Sequence, residues 1–378
     1  MSNKILRTNF DVSKLKLKNC IRLLIGLHSY YFPKVKRHKE YLYCNLIGGR
    51  VYGGPDRFLR NLLSSSDIKD QIHVSNWSLK FCRSALVFSS SWGNSFTRLC
   101  HFFDVKSVLR VDGFYVPDDI IDAKFQLSLS YRKYVNQRLS RDLKSFEHVI
   151  YQSQFAKKIC DQYLYKRVNN YSIIPNGINI SHFKPAVLPI KNDVLKLIVL
   201  GKHYPKHLNL AISIFKGVLE YHAAELIIIG PMRNGAELVE KFIDNSSLAL
   251  EIRNKISCIG TVSFNKLPSV LSNADIFMHV KVGDWCPNAV LEAMGCGLPV
   301  VCPAFGGTKE LVGEAGIGVD GPAWEINEIL VEGMVKAVIE VESDLIRYKK
   351  KARDRILNQY DITKIAKHYL TVLEYMHE

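Results

Sequence analysis

The chain has 378 residues, enough for two domains of ordinary size, each with a substantial core. Its 47% hydrophobic and 23% charged content are those of a globular protein and exclude a disordered or fibrous one. A formal net charge of +15 calls for an anionic partner such as a membrane face or a phosphate-bearing substrate. No nucleic-acid motif accompanies that charge, so nucleic acid is not an expected partner.

Nine cysteines lie scattered with no C-x-x-C pair. They read as reduced thiols of a cytoplasmic protein rather than a disulfide framework or a zinc site. No apolar run approaches the ~20 residues of a spanning helix. The N-terminus is basic (Lys4, Arg7, Lys14, Lys16, Lys18), but its apolar run is short and no small-residue cleavage site follows, unlike a signal peptide. Residues 1–39 form a basic extension that admits two readings: an amphipathic arm touching a membrane, or an arm solvated or packed on the first domain.

The first domain is expected over residues 40–186. Residues 41–47 (YLYCNLI) read as a buried strand. Gly48, Gly49, Gly53, Gly54 and Pro55 follow, then a helical run over 56–63. Paired glycines opening a helix let the backbone approach a ligand closely, and Pro is tolerated in the first turn. Further strands are expected over 85–89 and 107–111, the second running into Asp112-Gly113 at a carboxyl end, where ligand-contacting residues collect in such sheets. Asp-Gly is equally a plain turn. A basic helix over 123–146 and strands over 148–153 and 171–175 complete the domain.

The second domain is expected over 187–345, with residues 187–192 as linker. Its first strand, 195–201, ends in Gly201 and leads into Lys202 and Lys206 before a helix. Strands over 225–231, 256–260 and 275–280 alternate with helical patterns. Residues 346–378 form C-terminal helices, the last amphipathic through Ile365, Tyr369, Val372, Leu373 and Met376.

One stretch, 283–308 (GDWCPNAVLEAMGCGLPVVCPAFGGT), organises the rest. A strand precedes it, a helix follows Pro287, and a β-branched run over 299–302 comes next, so it is a parallel βαβ unit. Ligands of such sheets sit at the carboxyl end of the first strand, where loop amides and a helix N-terminus favour an anion. A phosphate is therefore expected near Asn288, Ala289 and Val290. Asp284 and Glu292, eight residues apart, stand beside that anion, suited to sugar hydroxyls.

This segment resembles the signature of the retaining glycosyltransferases of group 1, or family 4: an acid, seven residues, a Glu, then Ala-Met and a Gly-x-Pro-Val run. Here Asp284 occupies the first acid, where Glu is commoner, and Glu292, Ala293, Met294, Gly297, Pro299 and Val300 are kept. The phrases YQSQFAKKI and IIPNGINISHFKP are also similar to the family's approach to its second domain. The resemblance implies a GT-B fold, α/β, with two facing doubly wound, Rossmann-like domains and the active site in the cleft between them. It implies that Gly53 and Gly54 face that cleft, that Glu292 holds the donor's ribose and that Asp284 contacts the transferred sugar. Lys202, at a place usually held by Arg, and Lys206 would bear the donor diphosphate with the amides at 288–290. Asp112 stands where relatives carry a His that reaches the sugar. The implied partners are a nucleotide-diphosphate sugar as donor substrate and a glycan or lipid-linked saccharide as acceptor; the basic charge, taken by itself, suggests peripheral contact with an anionic membrane and a lipid-linked acceptor there. No cofactor or metal is implied, and no D-x-D motif occurs.

Three other classes leave different marks. A nucleotide-dependent dehydrogenase needs a G-x-G-x-x-G directly after a strand, with an acid about 20 residues on, and no glycine run of this chain stands in that setting. A nucleic-acid binder has only the charge in its favour. An inactive glycosyltransferase-fold subunit, binding nucleotide or a partner protein, is consistent with the replacements at 112, 202 and 284.

Overall fold

A computed structural model describes residues 41–46, 54–69, 72–75, 79–88, 94–116, 128–186, 194–231, 239–244 and 248–374. The basic extension over 1–39, Gly53 and the expected linker at 187–192 lie outside the described residues.

Twelve strands form two six-stranded parallel sheets. The first contains β1 (Tyr41–Cys44), β2 (His73–Ser75), β3 (Ser84–Phe88), β4 (Lys106–Arg110), β5 (His148–Tyr151) and β6 (Tyr171–Ile173), in the order β2-β1-β3-β4-β5-β6. The second contains β7 (Leu195–Leu200), β8 (Ala224–Ile229), β9 (Ile256–Cys258), β10 (Ile276–Met278), β11 (Val300–Pro303) and β12 (Gly316–Val319), in the order β12-β11-β10-β7-β8-β9. Each order reverses beside its first strand, as in doubly wound sheets, and such a reversal opens a crevice at the strands' carboxyl ends. In the second sheet that point lies between β7 and β10, paired Ile276 to Leu197 and Phe277 to Ile198.

The sequence dictates these central strands directly. SALVF of β3 is buried throughout and LKLIVL of β7 is buried at its centre with no exposed residue, because parallel strands are covered on both faces and read as continuous apolar runs. Two apolar clusters fill each domain, one on either side of its sheet.

Two segments carry the chain between domains, and they pair with each other. Ile178 donates its amide to Tyr360 O at 3.0 Å, and Ile362 donates to Ile178 O at 2.9 Å. The chain then enters the helix Ile362–Val372, capped by the Asp361 carboxylate on the Thr363 amide. Ile362, Ile365, Ala366, Tyr369 and Leu370 of that helix bury themselves among Leu42, Phe58, Phe88 and Val108 of the first domain. The C-terminal helix thus completes the first domain's core, and cutting it away would expose one face of that sheet.

Candidate active site at the interdomain cleft

The loop after β10 and the helix Asn288–Gly295 form the floor of the site. Pro287 is the helix N-cap and offers no side-chain cap, while the Val290 amide turns back to Pro287 O at 3.2 Å. Asn288 is mostly buried, Ala289 partly and Val290 fully. Gly201, after β7, has φ +150° and nothing within 4 Å of where a Cβ would stand. Lys202 beside it is exposed and Lys206 partly so.

Glu292 and Asp284 come to the same cleft in different states. The Glu292 side chain is wholly buried, and burial pushes its carboxyl up to about 7 against the pull of Arg57. Arg57 Nη1 donates to Glu292 Oε1 at 2.8 Å and Oε2 at 3.0 Å. Asp284 is held below the usual carboxylate range: burial opposes ionisation, but Lys281 at 3.1 Å and His279 at 3.6 Å outweigh it. The Trp285 amide donates to Asp284 Oδ1 at 2.8 Å, fixing the shorter side chain against its own loop.

Three histidines line the same end of the second sheet. His203 Nε2 lies 2.9 Å from Ile229 O. Burial depresses His203, His207 and His279, the last to about 4, so all three are neutral near pH 7. The charges of Lys281 and Lys206 push His207 down further. This places the loops after β7 and β10 side by side, with their lysines around one spot.

Asp112 lies on the first domain's side, and its carboxylate is committed. It forms a buried ion pair with Arg110 and accepts from Gln152 Nε2 at 3.0 Å. Gly54 opens the helix Gly54–Leu63, and its carbonyl accepts from Asn288 Nδ2 at 3.2 Å. The structure therefore brings Gly54, Gly201, Lys202, Lys206, Asp284, Asn288, Ala289, Val290 and Glu292 to one cleft. Asp112 sits in the network behind it.

Sequence reading missed the residues that tie these together. Asn176 donates Nδ2 to Cys286 O and to Asn288 Oδ1, both at 2.8 Å, and accepts from Arg110 Nη2. Arg110 also donates Nε to the Tyr369 hydroxyl at 2.9 Å and lies 4.1 Å over the Phe58 ring. Its one visible signal was a charge inside the apolar run SVLRV. Glu310, from the second domain, caps the first-domain helix Gln154–Tyr163 by accepting from the Gln154 and Phe155 amides at 2.8 and 2.7 Å. Phe114 against Trp285, and Phe155 against Phe305 and Trp324, close the apolar part of the interface.

Among the described residues no cluster of three or more His, Cys, Asp or Glu is placed to hold a metal ion, and no helix is long and apolar enough to cross a membrane. Eight cysteines are free thiols, seven of them buried; Cys20 lies outside the described residues.

Residues 181–355 match the family model described as glycosyl transferases group 1. Among characterised proteins, the chain is 25% identical over 223 residues to the UDP-Gal:alpha-D-GlcNAc-diphosphoundecaprenol alpha-1,3-galactosyltransferase of Escherichia coli. That match covers 55% of this chain and about half, 55%, of the relative. Among solved structures, sucrose-phosphate synthase from Thermosynechococcus elongatus superposes with a TM-score of 0.68 at 14% identity, covering 89% of this chain and 99% of that one. The Anabaena protein HepE, solved with UDP-glucose, superposes with a TM-score of 0.62 at 15% identity, covering 90% and 100%. These likenesses establish the two-domain α/β GT-B fold.

Proposed function

We propose, from the premise that this chain belongs to the group 1 glycosyltransferases, that it moves a hexose-type sugar from a nucleoside-diphosphate sugar to a glycan or lipid-linked acceptor. The observation that carries this reading is the convergence of two unlike acids and a basic loop on one strand-end crevice: Asp284 and Glu292 beside the uncapped helix start at Asn288, with Lys202 and Lys206 adjacent. Glu292 accepts hydrogen bonds from the donor's ribose hydroxyls, since an ionised carboxylate is a double acceptor. Asp284 contacts the transferred sugar.

The reaction retains configuration. The acceptor oxygen attacks the anomeric carbon on the face from which the diphosphate departs. The carbon–oxygen bond to the diphosphate breaks, and its electron pair and the acceptor's proton both end on the leaving diphosphate. Lys202, Lys206 and the amides at 288–290 stabilise the charge that develops there, which is where fixed donors accelerate a transfer most. These groups supply positive charge from the chain itself, so the reaction proceeds without a divalent ion. The acceptor binds on the first domain's side and works at the inner face of an anionic membrane, a location supported by the +15 charge and by the lipid-linked acceptor of the E. coli relative.

The test is thermal stabilisation by UDP, GDP, ADP and CMP in EDTA, followed by transfer assays with sugars of the nucleotide that binds. A ligand at 100-fold its dissociation constant adds ~2.7 kcal/mol. Stabilisation by one diphosphate, lost in Lys206→Ala, followed by sugar transfer, supports the reading. Stabilisation without transfer to any acceptor points instead to a nucleotide-binding subunit. No stabilisation by any of the four overturns the donor site.

A further inference from the structure

Arg57 and Glu292 belong to different domains and meet in the cleft. Arg57 lies in the first-domain helix Gly54–Leu63, and Glu292 in the second-domain helix Asn288–Gly295. A single guanidinium nitrogen reaches both carboxylate oxygens, at 2.8 and 3.0 Å. The two partners differ in exposure: the Glu292 side chain is 0% exposed and that of Arg57 38%. A second bond runs beside the pair, Asn288 Nδ2 to Gly54 O. The start of one helix is thus fastened at two points to the other. Arg57 also leans on Phe264, 5.8 Å from its ring, and Phe264 stacks on His182 at 4.2 Å.

Resting on the donor-site reading above, we propose that Arg57 is a positioning residue that couples donor binding to domain closure: it holds the Glu292 carboxylate aimed at the donor only while the two domains are together. A buried carboxylate stays ionised only beside a cation, and removing one partner of such a pair leaves an uncompensated charge. Separation of the domains withdraws Arg57 and opens the carboxylate to water, so that its two oxygens are no longer held in one orientation for the donor's hydroxyls. Donor capture is therefore strong in the closed arrangement and weak in the open one.

The surroundings leave Arg57 as the partner that decides. Cys296, one turn along the same helix, is pushed up to about 12 by burial and stays a neutral thiol. Arg353, from the helix Leu345–Arg355, spends its donors on the Gly295, Phe183 and Ile180 carbonyls. His182 stacks on Phe264.

The experiment is isothermal titration of the full chain with UDP and GDP from pH 6 to 9, for the wild type, Arg57→Gln, Arg57→Lys and Glu292→Gln, each checked for folding by circular dichroism. The diphosphate's own ionisation is common to all four and cancels when each profile is divided by that of Glu292→Gln. The divided wild-type profile should rise through about pH 7 and level off. Arg57→Gln should bind about tenfold or more weakly at pH 7.5, with its rise moved to higher pH because Glu292 has lost its cation. Arg57→Lys should keep the wild-type midpoint, since its ammonium supplies the charge and the single nitrogen donor that the pair uses. Should Arg57→Gln keep the wild-type midpoint, at whatever overall affinity, Arg57 has no such role. A wild type that binds no nucleoside diphosphate overturns the donor site itself and this inference with it, so that one titration separates the two failures.

Discussion

Arg110 and Asp112 form a buried ion pair at the carboxyl end of β4, with both side chains on the same face of the extended chain because they are two residues apart. Around that pair the protein joins its first sheet, its C-terminal helix and its cleft. Tyr369 meets Arg110 from the helix, Asn176 meets it from the crossing between domains, and Asn176 passes the connection to Asn288 at the proposed donor site.

Replacing Arg110 by Met is expected to strip a charged partner from Asp112, Asn176 and Tyr369 together. Loss of one member of a buried pair costs on the order of 3–5 kcal/mol, which a urea denaturation curve would register directly. Tyr369→Phe removes a single hydrogen bond to a charged donor and should cost about 1–3 kcal/mol. If the two variants proved equally stable, Arg110 would not be the junction that its contacts describe.

Asp112→Asn is expected to lower the melting temperature while leaving nucleotide affinity within about twofold of wild type, because the carboxylate faces Arg110 and Gln152. The resemblance suggested a sugar contact at this position. A variant with unchanged melting but lost transfer would restore that role.

Glu292 offers a test with a definite sign. Its carboxyl sits near 7 in the folded protein against an ordinary value of 4.5, so the native state holds a proton that the unfolded state releases between those two values. Stability from this group is complete below about pH 4.5 and is lost as pH rises through about 7. Glu292→Gln should therefore be more stable than wild type above pH 7, by on the order of 3 kcal/mol at most, while binding nucleotide poorly. Melting curves of both proteins between pH 5 and 8 check it; a difference that did not grow with pH would contradict the burial argument.

The fold was legible in the chain because its central strands are continuous apolar runs divided by helical periods, and parallel sheets make such runs. β2, reading HVS, carries no continuous apolar run to mark it as a strand, whereas the equally short β6, β9 and β10 were legible. The donor role proposed for the strand–loop–helix unit of the candidate site came from the resemblance, while the unit itself was legible because Asp284, Pro287 and Glu292 lie close together in sequence. Arg57, Asn176 and Tyr369 were not, since their roles depend on partners 235, 112 and 259 positions away. Local spacing carries no information about such pairs. Arg110 came between: a charge inside a buried strand was visible, but its partners were not.

His279 gives a second pH dependence, opposite in sign to that of Glu292. Its ring is held near 4, against 6.5 when unfolded, because burial disfavours the imidazolium. The unfolded state then binds more protons between those values, so stability from this group is present above pH 6.5 and is lost as pH falls through about 4. His279→Gln should flatten that part of the urea-midpoint profile. Asp284 and His207 remain titratable, so some acid sensitivity should persist. A variant profile parallel to wild type between pH 4 and 6.5 would show that His279 titrates normally in the folded protein.

Gly307 sits where the second domain's loops meet Ser153 of the first domain. A Cβ there would lie 2.0 Å from Trp285 O and 2.6 Å from Ser153 Oγ, so loop and helix cap would both have to move. Gly307 also donates its amide to Asp284 O at 2.7 Å, tying the loop after β11 to the loop that carries the first acid. Overpacking a well-filled contact costs typically ~1–3 kcal/mol, and here the nearest displaced atom, Trp285 O, is main chain rather than a flexible side-chain tip. Gly307→Ala should therefore lower stability by about that amount. It should also weaken donor binding at least as much as Asp284→Ala does, because it shifts Asp284 together with the Ser153 cap. Nucleotide titration beside a denaturation curve reads both effects. A Gly307→Ala protein that bound donor normally while losing stability would place the strain in the loop after β11 alone and leave the acid undisturbed.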